Sequence, residues 1–463
     1  MLDELRRLTA AHDQQHLLAF WDRLGPDEQS TLAAQIRSID FDLLRRLQQS
    51  DLKTDDWSSI AARALSPPAV RLNSPSPYPK VEARRRGEDA LRAGQVGAVL
   101  VAGGQGTRLG FEHPKGMYPI GPVSRATLFQ ILFEKLSAVG RRYGVRIPLF
   151  LMTSAATHDE TLQFLAKHDR FGLAADDLFV FCQGMMPAVD LQSGRVLLSA
   201  PHEIALSPDG HGGLVAALAK NQIDHTIRRR GLRQLFYFQV DNPLAAVCDP
   251  QFLGYHLAAR SQVSTQVVAK QDPTEKVGVV AEVDKRTQII EYSDLPATDA
   301  ERRRADGSLE LWAGNIAVHV FDVDFLLNAG GTDQGLPFHV ARKKVPYVDA
   351  SGKSIKPETE NALKFERFIF DLLPAAERTL VVEVDPAEAF APVKNGPGAN
   401  RDSPEIVERA MVELHTRWLR AAGAEVAAGV PIEISPRFAL DADAVKEKVK
   451  PGTKLTSATY LCD

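Results

Sequence analysis

From residue 95 onward, short β-rich runs alternate with longer stretches of helical periodicity, and nothing else in the sequence narrows the fold as much. Candidate strands are 96–101, 147–152, 178–182, 235–240, 266–269 and 277–283; candidate helices include 127–143, 156–167 and 212–229. Such alternation predicts an α/β domain, doubly wound, whose mostly parallel sheet carries helices on both faces. Sheets of this kind bind ligands beyond the carboxyl ends of their strands. The loops after Val101, Cys182 and Val240 are therefore the places to look.

The first 50 residues are expected to be helical. Leu17, Leu18, Phe20, Trp21 and Leu24 fall on one stripe, Leu32, Ile36 and Ile39 on a second, and Phe41, Leu44 and Leu47 on a third, with Gly25-Pro26-Asp27 separating the first two. The segment SPPAVRLNSPSPYPK (66–80) reads as an extended connector. Beyond about residue 385 the alternation weakens to one helix, 404–421, and short runs with Pro and Gly. The expected organisation is an N-terminal helical segment with its connector (1–94), a catalytic α/β domain (95–385) and a small C-terminal domain (386–463). A chain of 463 residues, 44% of them hydrophobic, has enough apolar residues for a large core.

A net charge of −4 gives no electrostatic case for nucleic acid or an acidic membrane surface, so any basic site must be local. The scattered Cys182, Cys248 and Cys462 form no zinc or disulfide pattern. The N-terminus lacks the apolar core of a signal peptide, and no run approaches the ~20 apolar residues of a membrane span. A cytoplasmic, monomeric protein is the expectation.

One local basic feature stands out in VLVAGGQGTRLGFEHPKGMYPI (99–120). A buried strand runs into Gly103, Gly104 and Gly106, whose backbone can turn sharply and present N–H groups to an anion. A GxGxxG dinucleotide fingerprint from Gly104 would need glycine at 109, where Leu109 stands; the looser Gly104-x-Gly106-x-x-x-Gly110 remains compatible with a dinucleotide, with Arg125 the only nearby partner for a 2′-phosphate. Gly352-Lys353-Ser354 imitates a phosphate-binding loop, but Tyr347 occupies the position of its first glycine. Arg108 and Lys115 in one loop suit a ligand with several adjacent negative charges, and a triphosphate fits that better than a dinucleotide.

The stretch LVAGGQGTRLGFEHPKGMYPIG resembles the signature loop of the UDP-sugar pyrophosphorylases, most nearly the eukaryotic-type UDP-N-acetylglucosamine branch. The resemblance continues in order through QGMMPAVD (183–190), SPDGHGGL (207–214), VDNPL (240–244), DPTEKVGVV (272–280), EYSD (291–294), AGNIAVHVF (313–321), KKVPYVD (343–349), IKPE (355–358), LKFERFIFDLL (363–373) and FAPVKN (390–395). QQHLLAFWDRL (14–24) is similar too, so the likeness spans roughly residues 10–435. It implies a Rossmann-like nucleotide-diphospho-sugar transferase fold with a mixed sheet. The implied reaction is UTP plus a sugar 1-phosphate giving UDP-sugar and pyrophosphate.

The resemblance also implies roles. The backbone of Ala102, Gly103 and Gly104 would approach the nucleotide, with Gln183 on uracil and Gly210 near the base or ribose. Arg108 and Lys115 would neutralise the triphosphate, and Asp241 would hold Mg²⁺. Glu291, Asn315 and the Gly278 N–H would meet the sugar, and Lys394 and Lys356 the sugar phosphate. One position departs from the N-acetylglucosamine pattern PDGNGG: here His211 stands in Pro208-Asp209-Gly210-His211-Gly212-Gly213, as in the related UDP-glucose and broad UDP-sugar enzymes. A neutral His offers one donor and one acceptor and ordinarily charges near pH 6.5. N-acetylglucosamine 1-phosphate is the expected sugar, with glucose, galactose or a broad hexose 1-phosphate specificity as the alternative. A non-catalytic nucleotide-sugar sensor would not need to keep Arg108, Lys115, Asp241 and Lys394 together.

Overall fold

Apolar runs of five to ten residues supply the strands of a ten-stranded sheet. In chain order they are β1 (Ala69–Val70), β2 (Val96–Val101), β3 (Leu149–Thr153), β4 (Leu178–Cys182), β5 (Gln234–Gln239), β6 (Val263–Ala269), β7 (Val279–Val283), β8 (Arg286–Ile290), β9 (Ala313–Asp322) and β10 (Thr379–Glu383), the first being a two-residue edge strand. The computed structural model describes residues 1–50, 57–330 and 335–462. The chain forms two compact units. The larger comprises Trp57–Cys182, Ala217–Thr332 and Leu372–Asp463; the smaller comprises Met1–Asp56, Gln183–Ala216 and Asp333–Asp371.

In the larger unit the strand order is β1-β10-β6-β9-β5-β2-β3-β4, with the hairpin β7–β8 attached to β9. Strands β5, β2, β3 and β4 are mutually parallel, as are β6, β10 and β1. As the resemblance implies, the sheet is mixed: the hairpin β7–β8 is antiparallel, and β9 runs antiparallel to both β5 and β6. Its ten residues are largely buried, and a long apolar run of this kind carries no sign of its direction.

Order matters for function here. The chain leaves β2, builds β3 and β4 on one side, then returns to place β5 on the other side of β2. The gap between β2 and β5 is therefore the switch point at which doubly wound sheets open a crevice. Gln239 of β5 pairs with Val101 of β2, so the two strands end side by side.

Helices cover the sheet for legible reasons. Leu128–Tyr143 begins where Thr127 Oγ1 accepts from Gln130 N at 3.2 Å and ends at left-handed Gly144. It buries Phe129, Leu132, Phe133 and Leu136 in the main core. Lys80–Arg92 crosses Pro250–Ala258 so closely that a β carbon on Gly254 would lie 1.5 Å from the Ala83 carbonyl oxygen. Only glycine permits that approach. Helix Pro404–Ala421 belongs to the main core through Val407, Met411 and Leu414. Its last turns join a satellite core of Leu419, Ile432, Ile434 and Val445. Among the described residues, no helix is long and apolar enough to cross a membrane.

The smaller unit packs helices Leu2–Ala11 and Pro26–Ser38 on a three-stranded sheet of Val189–Asp190, Ala362–Glu366 and His339–Lys343. The stripe around Leu17 and Trp21 forms two 3₁₀ turns, Gln15–Leu18 and Trp21–Arg23, instead of the expected helix; Leu17, Phe20 and Trp21 are buried all the same. The expected helix over 212–229 is also broken. It comprises a 3₁₀ turn at His211–Gly213, a helix Leu214–Lys220, a left-handed Gln222 (φ 56°) and a helix Ile223–Arg229. Two adjacent glycines weaken the first turn, and Gln222 ends the run.

Candidate active site

The glycine-rich loop folds on itself directly beyond β2. Gly106 N donates to His113 O at 2.8 Å and Lys115 N to Gly104 O at 3.0 Å, which closes the loop and returns Lys115 beside its start. Ser154 Oγ, just past β3, anchors Gly103 O at 2.7 Å. Gly104 is exposed, and a β carbon there would meet nothing within 4 Å. The space in front of this backbone is open to a ligand. Arg108 is exposed on the 3₁₀ turn Thr107–Leu109.

Beside this loop lies the segment after β5. Asp241 is half-buried, and its carboxylate has no hydrogen bond or ion pair among the described residues. Its backbone is fixed instead: Val393 N donates to Asp241 O at 2.8 Å. Asn242, 3% exposed, locks the same two segments together. Its Nδ2 donates to Ala389 O at 2.8 Å, and its Oδ1 accepts from Ala391 N at 3.1 Å and Leu244 N at 3.2 Å. Lys115 Nζ donates to Val393 O at 3.2 Å. Lys394 follows at once, its backbone N donating to Asp402 O at 2.9 Å. The loops after β2 and β5 and the segment 389–395 thus form one hydrogen-bonded floor.

The electrostatics agree with that geometry. Burial pushes the Lys115 ammonium below its ordinary range; Asp241 opposes this, while Lys394 and Arg108 add to it. The structure therefore brings Arg108, Lys115, Asp241 and Lys394 into one electrostatic neighbourhood. A second cluster lies on β9 and the hairpin. Asn315 N donates to Gly278 O at 2.8 Å, and a β carbon on Gly278 would stand 2.7 Å from Glu291 Oε1. Gly278, Glu291 and Asn315 are thus neighbours.

The other predicted residues belong to the smaller unit. Gln183 is buried at the first residue of that unit's second segment. Gly210 has φ 83°, and a β carbon there would lie 2.4 Å from Arg367 O, so glycine is obligatory. The flanking backbone is clamped by Arg367 N to Asp209 O (2.7 Å) and Gly212 N to Arg367 O (2.8 Å). His211 stacks on Phe368 at 5.4 Å, and its Nδ1 accepts from Ile369 N at 3.1 Å, which leaves the proton on Nε2. Burial, with His339 nearby, pushes its pKa down to about 4. The expected titration near pH 6.5 is corrected: His211 stays neutral at physiological pH. Lys356 is exposed just past the two-residue strand Ser354–Ile355, and its side chain makes no hydrogen bond or ion pair among the described residues.

Sequence reasoning had singled out neither Asn242 nor the Val393 carbonyl. Asn242 sits inside VDNPL, but its partners lie almost 150 residues away, and a main-chain acceptor has no sequence signal.

Comparison with known proteins is consistent across family, sequence and structure. Residues 43–399 match the family model described as UTP–glucose-1-phosphate uridylyltransferase. The UDP-N-acetylglucosamine pyrophosphorylase of Saccharomyces cerevisiae is 34% identical over 455 residues, covering 94% of this chain and 95% of that protein. The human UDP-N-acetylhexosamine pyrophosphorylase-like protein 1 is 38% identical over 435 residues, 89% of this chain and 84% of its own. The crystal structure of the uridine diphosphate N-acetylglucosamine pyrophosphorylase from Trypanosoma brucei in complex with inhibitor superposes with a TM-score of 0.82 at 25% identity, covering 96% of this chain and 94% of that one.

Proposed function

The chain belongs to the UTP–glucose-1-phosphate uridylyltransferase family, and from that membership we propose that it makes UDP-N-acetylglucosamine and pyrophosphate from UTP and N-acetylglucosamine 1-phosphate. It is a nucleotidyltransferase, an enzyme that joins a nucleotide to its acceptor. The observation that carries the reading is the floor at the β2–β5 switch point, where Arg108, Lys394 and the unpartnered Asp241 all lie within electrostatic range of Lys115.

A phosphate oxygen of the sugar 1-phosphate attacks the α-phosphorus of UTP. The bond from that phosphorus to the bridging oxygen of the β-phosphate breaks, and pyrophosphate leaves. The nucleophile is already an anion at neutral pH, so no general base is needed. Catalysis consists of holding two polyanions together and stabilising the departing one. Backbone N–H groups of Ala102, Gly103 and Gly104 line the nucleotide, and Arg108 and Lys115 neutralise its phosphates. Lys394 meets the sugar phosphate, with Lys356 the second cation assigned to it. Gln183 and Gly210 take the uridine; Gly278, Glu291 and Asn315 take the sugar.

The residues fit a magnesium ion. No group of three His, Cys, Asp or Glu side chains could form a protein cage among the described residues, and Asp241 offers one uncommitted carboxylate. Mg²⁺ commonly takes one or two carboxylates and completes its shell with substrate phosphates and water. Held by Asp241, it would supply charge neutralisation at the phosphates. Free cysteines suit a cytoplasmic location.

Pyrophosphate release from UTP and Mg²⁺, run in parallel with N-acetylglucosamine, N-acetylgalactosamine, glucose and galactose 1-phosphates, tests the proposal. The expected result is fastest turnover of the N-acetylglucosamine substrate. Turnover of glucose 1-phosphate alone would establish the second reading, which His211 favours. His211→Asn sharpens the comparison: an Asn Oδ1 can still accept from Ile369 N, so the fold should tolerate it. We expect it to raise the preference for the N-acetylated sugar by about 5-fold, or roughly 1 kcal/mol. An unchanged ratio would remove His211 from the sugar pocket.

Lys115 gives a pH signature. Its ammonium sits below the ordinary lysine range, so activity should decline on the alkaline side before a free lysine would titrate. Arginine stays charged throughout. Lys115→Arg should therefore lose about tenfold in kcat/KM near neutrality yet show no alkaline decline. A wild-type profile that Lys115→Arg reproduces would assign the limb to another group.

A further inference from the structure

The larger unit contains a concavity whose lining includes none of the residues proposed above for uridylyl transfer. It is a cavity of about 450 Å³ among helices Lys80–Arg92, Leu128–Tyr143, Pro250–Ala258, Pro404–Ala421 and the start of Ala442–Lys448. That volume suits a small organic molecule. Its wall is mainly apolar, with Ile131, Val247, Phe252, Leu414, Trp418 and Leu440 contributing.

The charged groups of the wall are mostly committed elsewhere. Arg142 pairs with Asp441 at 2.6 Å and Arg84 with Glu88 at 3.2 Å. Arg71 pairs with Glu383 at 2.7 Å. Asp249 caps helix Pro250–Ala258, and Glu433 accepts from Val123 N and Ser124 N. Lys80, Asp385, Glu388 and Asp443 are exposed. Two polar groups of the wall differ. Tyr255 is 1% exposed, and its hydroxyl has no hydrogen-bond partner among the described residues. Lys135 donates from Nζ to Pro243 O (2.6 Å) and Ala245 O (2.9 Å), two neutral acceptors for three N–H groups. No carboxylate lies within ion-pair distance of it among the described residues.

A part-buried lysine amine without a counter-charge, lining an apolar hollow, describes half of an ion pair. We propose that this cavity is a binding site for a small organic carboxylate with an apolar body, its head on the third N–H of Lys135 and its body against the Phe252–Trp418 wall. The site is separate from the floor at the β2–β5 switch point. The two adjoin where the carbonyls that Lys135 holds follow Asp241 by two and four residues, and at Ala389, which lines the cavity and accepts from Asn242 Nδ2. Burial lowers the Lys135 pKa to about 7; a bound carboxylate would restore the charged form.

The test is a binding measurement, independent of the transfer reaction. The full chain is titrated with 1-anilinonaphthalene-8-sulfonate, an aromatic body with an anionic head, and its fluorescence is then challenged with decanoate or 1-decanol. The expected result is one saturable component, displaced by decanoate at a concentration at least tenfold lower than by 1-decanol. Ala442 lines the cavity at a half-exposed helix position, so Ala442→Trp fills space with little burden on the fold. It should weaken probe binding at least tenfold and leave pyrophosphate release unchanged. Lys135→Met should erase the advantage of decanoate over decanol. No saturable component, or equal probe affinity in Ala442→Trp, overturns the site. Displacement by decanol as effective as by decanoate overturns the carboxylate.

Discussion

Asp241→Ala is expected to lower kcat/KM for uridylyl transfer by about 10³–10⁴, roughly 4–5.5 kcal/mol of transition-state stabilisation. The argument begins with what the side chain does not do. Its carboxylate has no partner among the described residues, and the segment is fixed by the backbone bond from Val393 and by the three bonds of Asn242. Removing the carboxylate therefore leaves the floor in place, and the thermal unfolding midpoint should move by less than a few degrees. A carboxylate kept unpaired beside Lys115 is a cost to folding with no structural return, which is the usual mark of a functional group. With the metal ligand gone, the charge on UTP and on departing pyrophosphate is left to Arg108, Lys115 and Lys394 alone. Asp241→Asn keeps the shape and loses the charge; it should recover part of the activity only at much higher Mg²⁺. Pyrophosphate release across a Mg²⁺ titration decides the matter. Retention of activity within tenfold of wild type in Asp241→Ala would move the metal elsewhere.

How far all this could be read from the sequence follows from the range of each interaction. The loop 102–115 was legible because its ingredients are adjacent: an apolar strand runs directly into four glycines and two cations within the 14 residues of the loop. Asp241 was legible as the residue beyond a buried strand. That Arg108, Lys115, Asp241 and Lys394 share one neighbourhood followed only from resemblance, since Asn242 and Ala391 meet across 149 residues and carry no local signal. Strand β9 illustrates the same limit. Its residues announce burial, but its antiparallel direction is decided by where the chain returns from the hairpin β7–β8. That hairpin turns through Asp284 and Lys285, both at positive φ, where the sequence lacks the glycine that usually marks such a turn. His211 was expected to titrate because a free imidazole does; the Phe368 stack and the Ile369 bond that keep it neutral come from residues more than 150 positions away. Lys135 had a faint signal, a lysine within the mostly apolar LFQILFEKL, but nothing local distinguishes a snorkelling side chain from an enclosed one.

Lys135 supplies the second large effect, on stability. In the folded chain its pKa is pushed down to about 7 by burial, while in the unfolded chain it returns to about 10.4. Below pH 7 both states are protonated, and folding bears the whole cost of enclosing an ammonium. Between 7 and 10.4 the unfolded state binds more protons, so this residue makes unfolding progressively harder as pH rises. Allowing for water in the cavity, the rise amounts to about 2–4 kcal/mol. Lys135→Met abolishes that rise and also strips the Pro243 and Ala245 carbonyls of their donor, at about 1–3 kcal/mol. Near pH 7 the relief of the buried charge and the loss of the hydrogen bonds oppose each other, so the two chains should differ by only about 1–2 kcal/mol. Near pH 10 wild-type Lys135 is neutral and still donates to both carbonyls. The variant should there be less stable by a further 2–4 kcal/mol, approximately the full linkage term. Buried Tyr237 and Cys248, whose pKa values burial raises, lose protons in this range only in the unfolded state; they contribute equally to both chains and cancel in the difference. Urea unfolding of both chains from pH 7 to 10 reads the result directly: a gap that widens with pH supports an enclosed, mostly neutral lysine, and a constant gap means that its ammonium is solvated.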